Sequence, residues 1–338
     1  MQIVKAEILW TRTCNLKCSY CGMVTGESNT PTVEQWKKGI DNIKKLGADF
    51  IAFYGAEPLT DFEKLPEVVG YAEKKKIHTT VITSGVVPGL YKKLHQLYKA
   101  GAKSLTMSYD IVPLDKNSER KSEKALKGLR YFKSLGKKVR DVAIVTTLTK
   151  QNIRQLPHTI RSMSEEGIWT LFDLIHPNRG QEGSKCIGSS RDFMFKTEED
   201  LKLFDTVMQE VLELKRSGHL VHTSEQFVEL VKRDNHKILL NYDWNCGQED
   251  NFPAWITIDC NGRVYCCDDF QPQYLELHNE NKIKMKFYMC GIYDNWKNFT
   301  IYNKKQVRTC PGCCWNTHID AHYIKRGEIP MGDYTHTN

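Results

Sequence analysis

No run of this chain approaches the roughly 18 consecutive apolar residues that a membrane-spanning helix requires. Met1 leads almost at once into an apolar run at Ile3, with no charged segment and signal-type core before it. Membrane-spanning and exported proteins are therefore not the expected classes, and a cytoplasmic location is. Disorder is not expected either, because 40% of the 338 residues are apolar and 26% charged, enough to build a core. An acidic excess is also missing. The formal net charge is +7, but the lysines are scattered, as at Lys37, Lys38, Lys44, Lys45 and Lys74 to Lys76, with acids interleaved. That is a solvated surface, and nucleic acid is not an expected partner.

Cysteine, by contrast, is plentiful at twelve residues, which in a chain without an export signal favours metal ligation over disulfides. Three of them, Cys14, Cys18 and Cys21, form a C-x3-C-x2-C loop directly behind the apolar segment Ile3 to Trp10. Thiolates are soft ligands suited to iron, and so short a loop can wrap one face of a cubane cluster. No obvious fourth ligand is near, so the fourth iron would keep a position open for a small molecule. Two alternatives compete: a structural zinc site, which wants four ligands, and three buried unpaired thiols.

From Phe50 onward the chain alternates short apolar runs with helical periodicity. Strands are expected at Ile3–Trp10, Phe50–Tyr54, Thr79–Thr83, Ser104–Ser108, Val139–Leu148 and Thr170–Ile175. Helices are expected at Thr32–Leu46, Leu65–Lys75, Leu90–Ala100, Ser122–Leu135 and Leu156–Glu166. Six such units predict an α/β fold, a partial (β/α)6 TIM-like barrel whose functional groups collect at the carboxyl ends of its strands. Those ends are the cysteine loop, Gly55 to Glu57, Thr83 to Gly85, Ser108 to Asp110, Thr146 to Thr149 and His176. Thr197 is expected to cap a helix running to Arg216, and Ser224 to Arg233 continues helical. The expected divisions are a barrel over 1–195, linking helices over 196–240 and a small C-terminal domain over 241–338.

Eight cysteines fall in the last third of the chain: Cys246, Cys260, Cys266, Cys267, Cys290, Cys310, Cys313 and Cys314. Among them, Trp255 to Asp259 and Arg263 to Tyr265 read as a β-hairpin on an Asn261-Gly262 turn. Cys246 and Cys266 or Cys267 can form half of a tetrathiolate site, with Cys310 and Cys313 as the other half.

The cysteine loop, with Tyr20 just before its third thiol, resembles the signature of the radical SAM superfamily. The resemblance runs over roughly residues 5 to 320. It implies a 4Fe–4S cluster on Cys14, Cys18 and Cys21 whose open iron chelates S-adenosylmethionine (SAM). Gly55-Ala56-Glu57-Pro58 is similar to that family's GGEP segment, with Ala56 in place of the second glycine, and implies that Glu57 holds the SAM amino group. Ser108 and Asp110 resemble its S-x-D element. With Thr83, Ser84 and Thr146 they are expected at the SAM carboxylate or ribose, although each has a structural hydrogen bond as its alternative.

Gly262-Arg263-Val264-Tyr265-Cys266-Cys267-Asp268 is similar to the G-x4-C element of SPASM and twitch extensions. No C-x2-C-x5-C-x3-C run is present, so the resemblance implies one auxiliary 4Fe–4S cluster on Cys246, Cys267, Cys310 and Cys313. Cys186, Cys260, Cys266, Cys290 and Cys314 are left over, and Cys266 and Cys314 are adjacent rivals for assigned positions. Asp268 is the candidate catalytic base, with a turn aspartate as its alternative.

The implied activity is reductive cleavage of SAM to a 5′-deoxyadenosyl radical that abstracts a substrate hydrogen. Flavodoxin or ferredoxin is the implied reductant. Oxidation of a small molecule, with the auxiliary cluster as electron acceptor, is the favoured reading. Peptide maturation and carbon–carbon bond formation are the alternatives within the family, and no peptide-recognition domain is expected before the first strand. A non-catalytic zinc or nucleic-acid-binding protein is the alternative of another class.

Overall fold

The computed structural model describes residues 3–21, 23, 30–175, 191–233, 236, 240, 254–265, 290–291 and 316–330. Six strands, β1 (Lys5–Leu9), β2 (Phe50–Tyr54), β3 (His78–Thr83), β4 (Ser104–Ser108), β5 (Asp141–Leu148) and β6 (Trp169–Leu174), pair in parallel in that spatial order. β1 and β6 do not pair, so the sheet is open and the barrel partial. Helices α1 (Val33–Lys45), α2 (Leu65–Lys74), α3 (Leu90–Ala100), α4 (Lys116–Ser134) and α5 (Leu156–Glu165) connect successive strands. This is the βα alternation that produces a parallel sheet.

Each helix is there for a local reason. α1 carries a capping box, in which the Gln35 amide donates to Thr32 Oγ1 at 3.2 Å and the Thr32 amide to Gln35 Oε1 at 2.9 Å. Its Trp36, Ile40 and Ile43 bury against Ala6, Ile8 and Trp10, so by the two-residue strand period Lys5, Glu7 and Leu9 face the concave side. α4 begins at Lys116, six residues ahead of the expected Ser122. The polar segment 116–121 has no apolar period, and its helix is started by Asp115, which accepts from the Ser118 amide at 2.8 Å.

The expected hairpin, β7 (Trp255–Ile258) and β8 (Arg263–Tyr265), is present and does not stand apart from the barrel sheet. β7 pairs in parallel with the free edge of β1, Lys5 opposite Trp255 and Glu7 opposite Thr257, and β9 (Cys290–Gly291) follows β8. Beyond the barrel come α6 (Glu198–Arg216), α7 (Glu225–Arg233) and α8 (Asn316–Lys325). α6 and α7 pack with the outer side of β6 in a second apolar cluster built around Phe172, Phe204 and Phe227. No helix among the described residues is long and apolar enough to cross a membrane.

Candidate active site

The cysteine loop leaves β1 at the mouth of the barrel and is stitched to the loop after β2. The Ala56 amide donates to the Thr11 carbonyl and the Glu57 amide to the Thr13 carbonyl, each at 3.0 Å. Gly55 makes this close approach possible, since a Cβ there would lie 2.6 Å from the Thr11 oxygen. Cys14, Cys18 and Cys21 form no disulfide. Backbone N–H groups point at two of the sulfurs, Leu16 to Cys14 Sγ at 3.3 Å and Met23 to Cys21 Sγ at 3.4 Å, and the Cys21 amide closes a turn on the Cys18 carbonyl at 3.1 Å.

The loop packs in an apolar pocket with Leu16, Cys18, Tyr20, Val86 and Ile175 at its centre and Phe193 and Met194 against it. Burial pushes the Cys18 thiol up to about 12 and raises that of Cys14, while Lys121 opposes both shifts. The donor set fits a thiolate-ligated cluster: three soft ligands on one short loop, with N–H groups on their sulfurs and apolar cover. Among the described residues, no group of three His, Cys, Asp or Glu side chains is arranged to hold a single metal ion.

Beside this loop Glu57 is fully buried. It caps the short 3-10 turn that starts at Pro58, accepting from the Leu59 amide at 3.1 Å on Oε1. The Thr83 hydroxyl donates to the same oxygen at 2.5 Å, and the Ser84 amide donates to Oε2 at 2.8 Å together with the Ser84 hydroxyl. Gly55, Ala56, Glu57, Pro58, Thr83 and Ser84 are thus brought into one cradle. Four donors occupy the four acceptor sites that an ionised carboxylate offers.

Asp110 lies at the end of β4, nearly buried, and its carboxylate turns inward. It accepts from the Tyr20 hydroxyl at 2.7 and 2.8 Å and from the Ser118 hydroxyl at 2.6 Å, and it pairs with Lys121 Nζ at 2.7 Å. Lys121 Nζ also donates to the Tyr20 oxygen. Burial, then the Asp110 carboxylate, pushes the Tyr20 phenol well above its ordinary range. Asp115 adds a second tie, accepting from the Ser19 amide at 2.7 Å, and Asn117 a third, donating to the Lys17 carbonyl at 3.0 Å. The cysteine loop is therefore held by α4 through Lys121, Ser118, Asp115 and Asn117, none of which stood out in the sequence. The one available signal was the Asp115 to Ser118 cap.

Ser108 pairs with Val145 on the concave side and is half-buried. Thr146 pairs with Phe172 on the side facing the helices, where its Oγ1 is buried without a partner. Cys246, Cys267, Asp268, Cys310 and Cys313 lie outside the described residues, as do Cys186, Cys266 and Cys314. Cys260, described, is a buried free thiol directly after β7.

Residues 8–163 match the family model of the Radical SAM superfamily. The PqqA peptide cyclase of Granulibacter bethesdensis is 27% identical over 166 residues, 46% of this chain and 43% of that protein. The pre-heme d1 synthase of Dinoroseobacter shibae is 26% identical over 194 residues, 53% of this chain and 46% of that one. Each match thus spans under half of the relative's own length. In fold, SuiB of Streptococcus suis bound to S-adenosylmethionine superposes with a TM-score of 0.58 at 17% identity, covering 89% of this chain and 66% of SuiB. The three-thiol loop and most of the open parallel sheet fall within residues 8–163, the stretch that matches the radical SAM superfamily, whose members use a 4Fe–4S cluster and SAM.

Proposed function

We propose that Cys14, Cys18 and Cys21 hold a 4Fe–4S cluster, that Glu57 and its neighbours bind SAM beside it, and that the enzyme abstracts a hydrogen atom from a substrate on the concave face of the sheet. When bound, the cluster supplies one electron to the SAM sulfonium, whose cleavage yields methionine and a 5′-deoxyadenosyl radical. The protein orients and shields: the apolar wall of Leu16, Val86 and Ile175 excludes water, and the Glu57 carboxylate offers a counter-charge to the SAM ammonium. Because four donors already fill that carboxylate, the ammonium shares it or displaces one of them. Ser108 is a further candidate for binding SAM, and Tyr20 with Asp110 holds the loop in place. One observation carries this reading: three cysteines outside any disulfide on a loop whose backbone is hydrogen-bonded to the segment of the buried acid.

For the finer activity, Cys246, Cys267, Cys310 and Cys313 are the residues that would hold an auxiliary cluster, with the C-terminal unit taken to begin near residue 241. Such a cluster would supply an electron acceptor for substrate oxidation, Asp268 would take the proton, and flavodoxin or ferredoxin would be the external reductant. A second reading is peptide maturation. It is favoured by the likeness to a PqqA peptide cyclase and to SuiB, which has been solved with its precursor peptide SuiA. Anaerobically reconstituted protein given dithionite and SAM is expected to be brown and to release 5′-deoxyadenosine. Deuterium transfer into that product from labelled peptide or labelled small molecules separates the two readings. A colourless protein that releases none contradicts both.

A further inference from the structure

Lys121 on α4 helps to hold the cysteine loop, but that task does not require a buried charge. Its ammonium lies 2.7 Å from Asp110 Oδ2, donates to the Tyr20 oxygen and is 5.0 Å from the centre of the Tyr20 ring, and its side chain is buried. Asp110 has donors without it, since the Tyr20 and Ser118 hydroxyls both reach its carboxylate. The loop has ties without it, from Asp115 to the Ser19 amide and from Asn117 to the Lys17 carbonyl. A buried ion pair adds little net stability over apolar side chains of similar size, so the ammonium calls for a use beyond anchoring.

Its placement supplies that use. Asn117 and Lys121 are four residues apart on α4, hence on one face, and this face meets the loop at Lys17 and Tyr20, which flank Cys18. Cys18 and Tyr20 share the apolar pocket of Leu16, Val86 and Ile175, where charges are screened far less than at the surface. Three carboxylates also lie near the loop, and each is met by donors: Glu57 by Leu59, Thr83 and Ser84, Asp110 by the two hydroxyls, and Asp115 by the Ser19 and Ser118 amides. At Cys14 the push of Glu57 outweighs the pull of Lys121. At Cys18 the pull of Lys121 exceeds the push of either Asp110 or Asp115, so the ion pair presents its positive end to that sulfur.

We propose that Lys121 sets the electron affinity of the cluster assigned to Cys14, Cys18 and Cys21, its fixed charge beside Cys18 favouring the uptake of one electron from an external reductant. That electron adds negative charge which the thiolates share, and a cation held close to a thiolate in a poorly screened pocket stabilises the reduced state. Lys121 acts through the Cys18 sulfur and is a positioning residue for charge, not a catalytic one. The inference rests on the cluster proposed above.

The test is an anaerobic redox titration of the reconstituted full chain with dithionite, following by electron paramagnetic resonance the reduced-cluster signal that Cys18→Ala lacks. Lys121→Met keeps much of the side chain's length and removes its charge. It should make reduction about tenfold less favourable, a potential about 59 mV lower for a one-electron couple. Asp110→Asn should shift the potential upward. Asn117→Ala removes a tie of the loop without changing charge, so its potential should stay at the wild-type value. An unchanged potential in folded, iron-loaded Lys121→Met, a fall in Asp110→Asn, or a fall in Asn117→Ala equal to that of Lys121→Met overturns the proposal. Should Lys121→Met fail to fold, combining it with Asp110→Asn removes the pair and leaves no bare carboxylate, with a smaller fall expected and no fall contradicting. A Cys18→Ala protein that keeps every signal of the wild type contradicts the proposed cluster itself, whereas a Cys18-dependent signal whose potential ignores Lys121 contradicts only this inference.

Discussion

The Tyr20 hydroxyl donates to Asp110, 2.7 Å from one carboxylate oxygen and 2.8 Å from the other, across ninety residues of sequence. Tyr20 sits between the second and third thiols, and Asp110 follows β4, so this hydrogen bond fixes the cysteine loop to the barrel. Replacing Asp110 by Ala leaves Lys121 buried without its carboxylate, a change expected to destabilise by about 3 kcal/mol or more. Tyr20→Phe removes one hydroxyl and should lose about 1 kcal/mol. Urea unfolding of the two variants checks the order. Equal losses would mean that the ion pair does not depend on Asp110.

Glu57→Gln keeps the size of the side chain but turns one acceptor oxygen into a donor facing the donors that now surround it. SAM affinity of the iron-loaded protein should fall by about tenfold or more, because the neutral amide offers the SAM ammonium no counter-charge. Equilibrium dialysis with labelled SAM measures it. Unchanged affinity in a folded variant would remove Glu57 from the SAM site.

Gly55→Ala brings a methyl to 2.6 Å from the Thr11 carbonyl oxygen, a backbone atom that cannot swing away. The two loops must part, at an expected loss of about 1 to 3 kcal/mol and with weaker retention of iron. Thermal unfolding together with iron content after gel filtration reports both effects.

Burial raises the Asp173 carboxyl to about 6 and that of Asp320 to about 7, both above the unfolded value of about 3.9. The folded chain keeps these protons longer than the unfolded one. Their stabilisation is therefore full below about pH 4 and is lost as pH rises through 6 and 7. Lys5, lowered by burial to about 8, has the opposite sign: stability recovers as pH rises from about 8 toward 10.4. The wild type should accordingly lose ground to Asp320→Asn between pH 5 and pH 7.5, by up to about 1.4 kcal/mol per pH unit. Urea unfolding at those two pH values measures the difference, and a difference that stays level would show that Asp320 does not titrate in this window.

Much of the barrel is legible from local pattern. Phe50–Tyr54, Leu90–Ala100 and Ser104–Ser108 begin and end where their apolar period and flanking glycines place them. The three thiols and Glu57 could be singled out because their chemistry is written in single residues. What could not be read is non-local. Nothing near Lys121 says that a lysine on a polar stretch of helix will be buried against Asp110, and nothing in Trp255 to Ile258 says that this strand will pair with β1, some 250 residues earlier. Thr83 and Ser84 look like independent ligand-binding residues, yet both hydroxyls are directed at Glu57. Thr146 has the right place along its strand, but the two-residue period turns it toward the helices.

The measurement closest to the central claim is formation of 5′-deoxyadenosine from SAM and dithionite by reconstituted wild type, by single Ala variants of Cys14, Cys18 and Cys21, and by a Cys260→Ala control. Cys260 is a buried free thiol beyond the loop, so its variant should retain cleavage, while each loop variant should lose it although iron bound elsewhere remains. Cleavage that persists without Cys14, Cys18 or Cys21 would contradict the account.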